Sequence, residues 1–209
     1  MMRIESVAVQ PDRAGRHTVR FEDGSVLRLY RQTVQDFGLY TGLELSDEEL
    51  RKLQTAAGAM SAKMRAVRIV SASNVSKKDL QQRLIRKGED PKQAAQAVRW
   101  MEDLDLLDDE KTARQIVDSC ARKGYGIARA KQALYEKQID RAYWDSALED
   151  YPDQSEHILA FLRTRLTGDW DDRQLRRAID ALIRRGHSYG QIRKVLQNLQ
   201  VETELMEEE

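Results

Sequence analysis

The sequence predicts a mainly α-helical chain: tandem three-helix repeats, three units in an elongated array, behind a small N-terminal module that contains a β-hairpin. Three observations predict it. The first is an internal repeat. Leu80, Leu84, Gly88, Ala94 and Val98 return 50 residues later as Ala130, Leu134, Gln138, Trp144 and Leu148, and 48 residues after that as Ala178, Leu182, Gly186, Ile192 and Leu196. The apolar or Ala positions keep helical spacing, and the third position is where a helix must stop and turn. The second is composition. Only 3 prolines interrupt a chain that is 33% charged, and its abundant Ala, Leu, Arg, Lys, Glu and Gln favour helix. The third is local. Glu22-Asp23-Gly24-Ser25 separates two β-rich runs, and Asp-Gly there signals a hairpin because glycine tolerates positive φ.

Taken in order, Ile4 to Val9 alternates in part. Arg16 to Phe21 and Val26 to Tyr30 form the hairpin arms, with Val19, Phe21, Leu27 and Leu29 on alternating positions. Three strands are close to the minimum for independent stability, so the sheet is expected to lean on a helix. Thr33 to Phe37 suits a short helix, and Gly42 marks a turn. Ser46 followed by Glu49 is a capping box, opening a helix that carries Leu50 and Leu53 to about Thr55. A second helix is read from Ala56, with Met60, Met64, Val67 and Val70 at helical spacing. Each repeat is then helix, turn, helix, preceded by a helix of its own: Ala62 to Ala72, Asp109 to Lys123, and Ser155 to Leu166. The second of these has Ala113, Ile116, Val117 and Cys120 as its inner face; the third carries Ile158, Leu159, Phe161 and Leu162. The expected organisation is an N-terminal module over residues 1–58, repeats over 59–107, 108–153 and 154–200, and an acidic disordered tail over 201–209.

A formal net charge of zero hides segregation. It is −1 over residues 1–60, +3 over 61–108, −1 over 109–153, +4 over 154–200 and −5 over 201–209. A neutral chain patterned in this way still presents basic and acidic regions to partners. The single cysteine excludes an internal disulfide and fits a reducing compartment. No apolar run approaches the ~20 residues that cross a bilayer, and the first ten residues lack a secretory signal. The expectation is a cytoplasmic monomer without a membrane partner.

Chemistry is sparse. His17, His157 and His187 lack metal-ligand spacing, so surface or interfacial roles are expected and no metal. Cys120 sits on a core face and reads as an inert buried thiol. Gly124-Tyr125-Gly126 reads as a turn between helices, not a nucleotide loop, and no cofactor is signalled. Asp108-Asp109 and Asp171-Asp172 stand where helices begin. Neighbours on a helix point about 100° apart, so capping explains them better than paired acid and base. No catalytic residue is assigned, and the chain reads as a binding protein rather than an enzyme.

The basic groups carry the functional expectation. Arg173, Arg177 and Arg184 share one helical stripe, with Arg176 and Arg185 beside it, opposite Leu175, Ala178, Ile179 and Leu182. Arg83, Arg86 and Lys87 flank Leu84 in the first repeat; Arg122, Lys123, Arg129 and Lys131 surround the glycine turn in the second. A charge run is usually a solvated face. Here the bias toward arginine suits bidentate phosphate and carboxylate contacts. Stacking aromatics are few, which argues against a sequence-specific single-strand reader.

Leu106-Leu107-Asp108-Asp109, Ala113, Arg122-Lys123-Gly124-Tyr125-Gly126 and Leu134, together with Ser76-Lys77-Lys78-Asp79-Leu80, Leu84 and Lys87-Gly88, resemble the RecX family of recombination regulators. The resemblance covers residues 62–150 closely and 155–200 more loosely. The N-terminal hairpin looks like that of the longer members. Gln138 departs from the family's usual glycine, which bears on the turn there. What the resemblance implies is binding to the RecA recombinase filament on DNA, restraint of its ATPase and strand exchange, and filament disassembly, within DNA repair, recombination and the SOS response. It implies tandem three-helix repeats and no catalytic residues. Two other readings remain: a stand-alone helical protein that binds single- or double-stranded DNA, with steep salt dependence, and a generic protein-interaction scaffold.

Overall fold

The computed structural model describes residues 1–167 and 170–207, the side chains of 200–207 aside. It is mostly helical, with a small antiparallel sheet at the N-terminus. The chain separates into two compact units, Met1–Leu107 and Asp108–Glu209.

In the first unit, β1 (Met2–Val7), β2 (Arg16–Phe21), β3 (Val26–Tyr30) and β4 (Glu44–Leu45) form one sheet in the order β3-β2-β1-β4. The hairpin arms fall where the Asp-Gly turn put them, with Arg16 opposite Tyr30 and Arg20 opposite Val26. The fourth strand was not foreseen. It is two residues long and exists because Met2 and Arg3 of β1 pair with Leu45 and Glu44. Alternation sends Ile4, Val19, Phe21 and Leu29 into one core with Leu45 and Leu53.

Leu53 belongs to α2 (Asp47–Ala72), the helix on which the sheet leans. Ser46 and Glu49 form the expected capping box. The expected break near residue 55 does not occur: α2 runs through it as one helix of 26 residues. The physical reason is that two cores hold the two ends. Leu53 is under the sheet, whereas Ala62 and Ala66 pack against α3 (Lys77–Arg86) and α4 (Pro91–Asp103). Gly58, mid-helix, costs about 1 kcal/mol relative to Ala. The Gln93 side chain occupies the space a Cβ would take, and its Nε2 donates to the Thr55 carbonyl at 3.2 Å.

The second unit holds two further three-helix groups. The first is α5 (Asp109–Arg122), α6 (Ile127–Glu136) and α7 (Trp144–Leu148), the last entered through a 3-10 turn at Arg141–Tyr143. Its core is Ala113, Val117, Cys120, Ala130, Leu134, Ile139 and Leu148. The second is α8 (Ser155–Arg165), α9 (Asp172–Arg184) and α10 (Tyr189–Glu207), around Ile158, Leu162, Ala178, Leu182 and Ile192. Both carboxylate pairs cap helices. Asp108 accepts from the Lys111 N–H, and Asp171 accepts from Gln174 in a full capping box. Of the tail expected from residue 201, α10 carries the backbone as helix to Glu207, and residues 208 and 209 lie outside the described residues.

One turn recurs in all three groups. Gly88, Gln138 and Gly186 have φ of 90°, 55° and 89°. The next residue donates its N–H back to the buried leucine: Glu89 to Leu84, Ile139 to Leu134 and His187 to Leu182, at 3.1, 3.0 and 3.2 Å. That is the bonding of a helix C-terminal Schellman turn. Gln138 therefore keeps the geometry that glycine holds in the other two groups.

Candidate functional site

The residue that follows the turn is buried in every group, and its chemistry differs each time. Ile139 joins the apolar core. Glu89 accepts from Arg65 Nε at 2.7 Å and from the Ser61 hydroxyl at 3.0 Å, tying the turn to α2. His187 reaches out of its own group. A carbonyl can only accept, so Nε2–H of His187 donates to the Gly124 carbonyl at 3.1 Å, and Nδ1 is left buried without a partner. Burial lowers the His187 pKa below its ordinary value.

That bond is one strand of a backbone joint. The Gly126 N–H donates to the Arg185 carbonyl at 2.9 Å and the Ala128 N–H to the Gly186 carbonyl at 3.2 Å. A Cβ on Gly186 would collide with the Arg129 backbone nitrogen and lie 2.7 Å from the Arg129 Cβ. A Cβ on Gly126 would collide with the Gly186 carbonyl. The glycines are required here by close approach of two backbones. The Tyr151 hydroxyl donates to the Tyr125 carbonyl at 2.7 Å and fixes the same turn. Burial pushes its pKa to about 12 and raises that of the buried Cys120 thiol.

The joint gathers basic residues that are far apart in sequence. Arg122 and Lys123 end α5, Arg129 lies in the first turn of α6, and Arg184 and Arg185 end α9. Lys131 is exposed on α6. Arg173 and Arg176 are exposed nearer the other end of α9, about 16 and 12 Å from Arg184 along the helix, and are not part of the joint. Arg83, Arg86 and Lys87 belong to the first unit.

Their electrostatic states differ. Arg83 is held by the buried Asp79, with Nε to Oδ1 at 2.9 Å and Nη2 to Oδ2 at 2.8 Å; Arg86 stands 4.0 Å from the same carboxylate. Arg129 pairs with Glu136 at 3.0 Å, and this bond raises the Arg129 pKa and lowers that of Glu136. Arg173, Arg176, Arg177, Arg184 and Arg185 are exposed and make no ion pair among the described residues. Between α8 and α9, Arg177 and Arg184 line a cleft of about 410 Å³ with Phe161, Arg165, Gln174, Ala178 and Ala181. The Arg185 guanidinium lies 4.6 Å and that of Arg165 5.5 Å from the Phe161 ring centroid, cation–π distances.

Each turn also exposes one large apolar residue. Ile85, Tyr135 and Ile183 sit one position after the buried leucine and are 39%, 66% and 46% exposed. Single exposed apolar residues are ordinary, but three at equivalent positions beside basic side chains form a pattern.

The family model described as RecX, second three-helix domain, matches residues 108–148, which span α5 to α7. Regulatory protein RecX of Clostridioides difficile is 25% identical over 202 residues, covering 94% of this chain and 95% of its own. Regulatory protein RecX of Streptococcus gordonii is 24% identical over 190 residues, covering 89% and 74%. The chain is similar to RecX proteins along most of its length. A crystal structure of a regulatory protein RecX, at 17% identity, has a TM-score of 0.67 and covers 94% of this chain and 100% of its own, which bears on the fold. The RecX relatives are named as regulatory proteins, not as enzymes.

Two members of the basic region escaped sequence reading. Arg165 was not singled out, and Phe161 was named only among the apolar residues that the helix carries. The signal was present, because Arg165 follows Phe161 by four residues and so shares its side of α8. Among the described residues, no helix is long and apolar enough to cross a membrane, and no group of three or more His, Cys, Asp or Glu could hold a metal ion.

Proposed function

We propose that this RecX-like chain is a negative regulator of the RecA recombinase. It binds the RecA filament on DNA, inhibits ATPase and strand exchange, and promotes filament disassembly, so modulating DNA repair and recombination in the cytoplasm. It acts as a monomer. The observation that carries the reading is the set of arginines on α9 that have no acidic partner among the described residues, joined by backbone hydrogen bonds to the basic turn after α5.

The physical case runs from charge to conformation. Guanidinium groups bind carboxylate and phosphate in a fixed fork. Exposed Ile183 and Tyr135 add apolar anchors of the kind that dominate protein interfaces. A ligand shifts an equilibrium only by its differential affinity for the two states. A rigid regulator that touches neighbouring protomers binds one filament geometry better than others, and opposes the changes that ATP turnover needs. The main contact is assigned to Arg173, Arg177 and Arg184 and to the turn from Arg122 to Arg129. Reversing Arg173, Arg177 and Arg184 to Glu is expected to abolish filament inhibition while the helical fold is kept. Undiminished inhibition by that variant overturns the assignment.

A further inference from the structure

The cleft between α8 and α9 carries a more specific assignment. Repeat spacing makes Arg177 of α9 the counterpart of Arg129 in α6, and Arg184 the counterpart of Glu136. In α6 this pair, seven residues apart, closes as an ion pair at 3.0 Å. The same two positions in α9 are both arginine, and both line the cleft. Two guanidinium groups spaced for an ion pair repel each other, and an anion between them removes that repulsion. Arg165 adds a third positive charge from α8, and no acidic side chain lines the cleft among the described residues. Where the second repeat has the counter-ion Glu136, the third has Arg184.

The geometry points to a phosphodiester of single-stranded DNA as the group that fills this place, held by Arg165, Arg177 and Arg184. A phosphate offers several acceptor oxygens to converging guanidinium forks, which suits three arginines better than one carboxylate does. The guanidinium beside the Phe161 ring gives the adjoining base a planar cation to stack on. The contact is to backbone and stacking face, so it is tolerant of sequence. The assignment deepens the filament reading by naming the DNA strand as the ligand of this cleft, but it is testable with DNA alone.

The experiment is fluorescence anisotropy of a labelled oligothymidine titrated with the full chain, wild type and Arg184→Glu. That substitution installs the Arg–Glu arrangement that α6 already accommodates, and a circular-dichroism melt checks the fold. Arg184→Gln carries the same readout if the first variant is unstable. Arg176→Glu, outside the cleft, changes net charge equally. Affinity is expected to fall about ten- to a hundredfold for Arg184→Glu and little for Arg176→Glu. The slope of log affinity against log salt should drop by about 0.7 for each phosphate that the variant no longer neutralises. Equal falls in the two variants, or no fall in either, overturn the site. Displacement of oligothymidine from the wild type by an oligoglutamate peptide at comparable concentration overturns the choice of DNA in favour of an acidic protein segment. If Arg184→Glu fails to bind oligothymidine but still inhibits RecA filaments, the cleft stands and the α9 contact in the filament reading falls. If oligothymidine binds in the cleft and wild type leaves RecA untouched, the filament reading alone fails.

Discussion

Helices α3 and α9 occupy the same place in the first and third repeats and end in the same turn, yet they are electrostatic opposites. In α3 the position is Asp79, buried and bonded to Arg83; in α9 it is Arg177, exposed and without an acidic partner among the described residues. The turns differ as well. Gly88 and Gly186 have φ of 90° and 89°, but a Cβ on Gly88 would meet nothing within 4 Å, whereas one on Gly186 would meet the Arg129 backbone. One helix spends its arginines on its own aspartate, and the other holds them out beside a joint. A repeat preserves the fold through its leucines and turn, and the positions around them decide whether a given copy is a strut or a contact surface.

The largest expected break in that comparison is at the turns. Gly186→Ala combines left-handed strain with a backbone collision and should cost about 3 kcal/mol or more, read as a fall in denaturation midpoint. Gly88→Ala carries the strain alone, about 1–2 kcal/mol. Equal costs would mean that the joint contributes nothing. Next comes Asp79→Ala, which leaves Arg83 without its carboxylate. It should cost about 1–3 kcal/mol by chemical denaturation. It should also strengthen oligothymidine binding several-fold, because α3 then resembles α9. Weaker binding would contradict the view that Asp79 is what silences α3.

The smallest effect concerns pH. His187 has its pKa lowered from the ordinary 6.5 by burial, so the folded state disfavours the proton that the unfolded chain accepts. Its contribution to stability is present above 6.5 and declines as pH falls through the folded pKa. Arg185 and His157, which face it, act in the same direction. Thermal melts of wild type should lose stability below that pH, and His187→Gln, which keeps an N–H for Gly124, should show a shallower decline. Parallel curves would remove His187 from the pH response.

How much of this was legible in the sequence follows from the range of each interaction. The hairpin, the caps at Ser46, Asp108 and Asp171, and the helical repeat rest on residues within a few positions of one another, and all were readable. The continuity of α2 was not, because it rests on two separate cores that pack against its two ends. Strand β4 exists only through its pairing with β1. The arginines were visible in the sequence, but their states were not. Asp79 was in register with Arg83 all along; the joint between Gly124 and His187 spans 63 residues and leaves no local trace.

The measurement that tests the central claim most directly is the single-stranded-DNA-dependent ATPase of preformed RecA filaments as this chain is titrated in. A filament regulator lowers the ATPase at substoichiometric amounts, and excess free DNA does not restore it. An unchanged ATPase, or one restored by a modest excess of free DNA, would contradict the account and leave a protein that merely binds DNA.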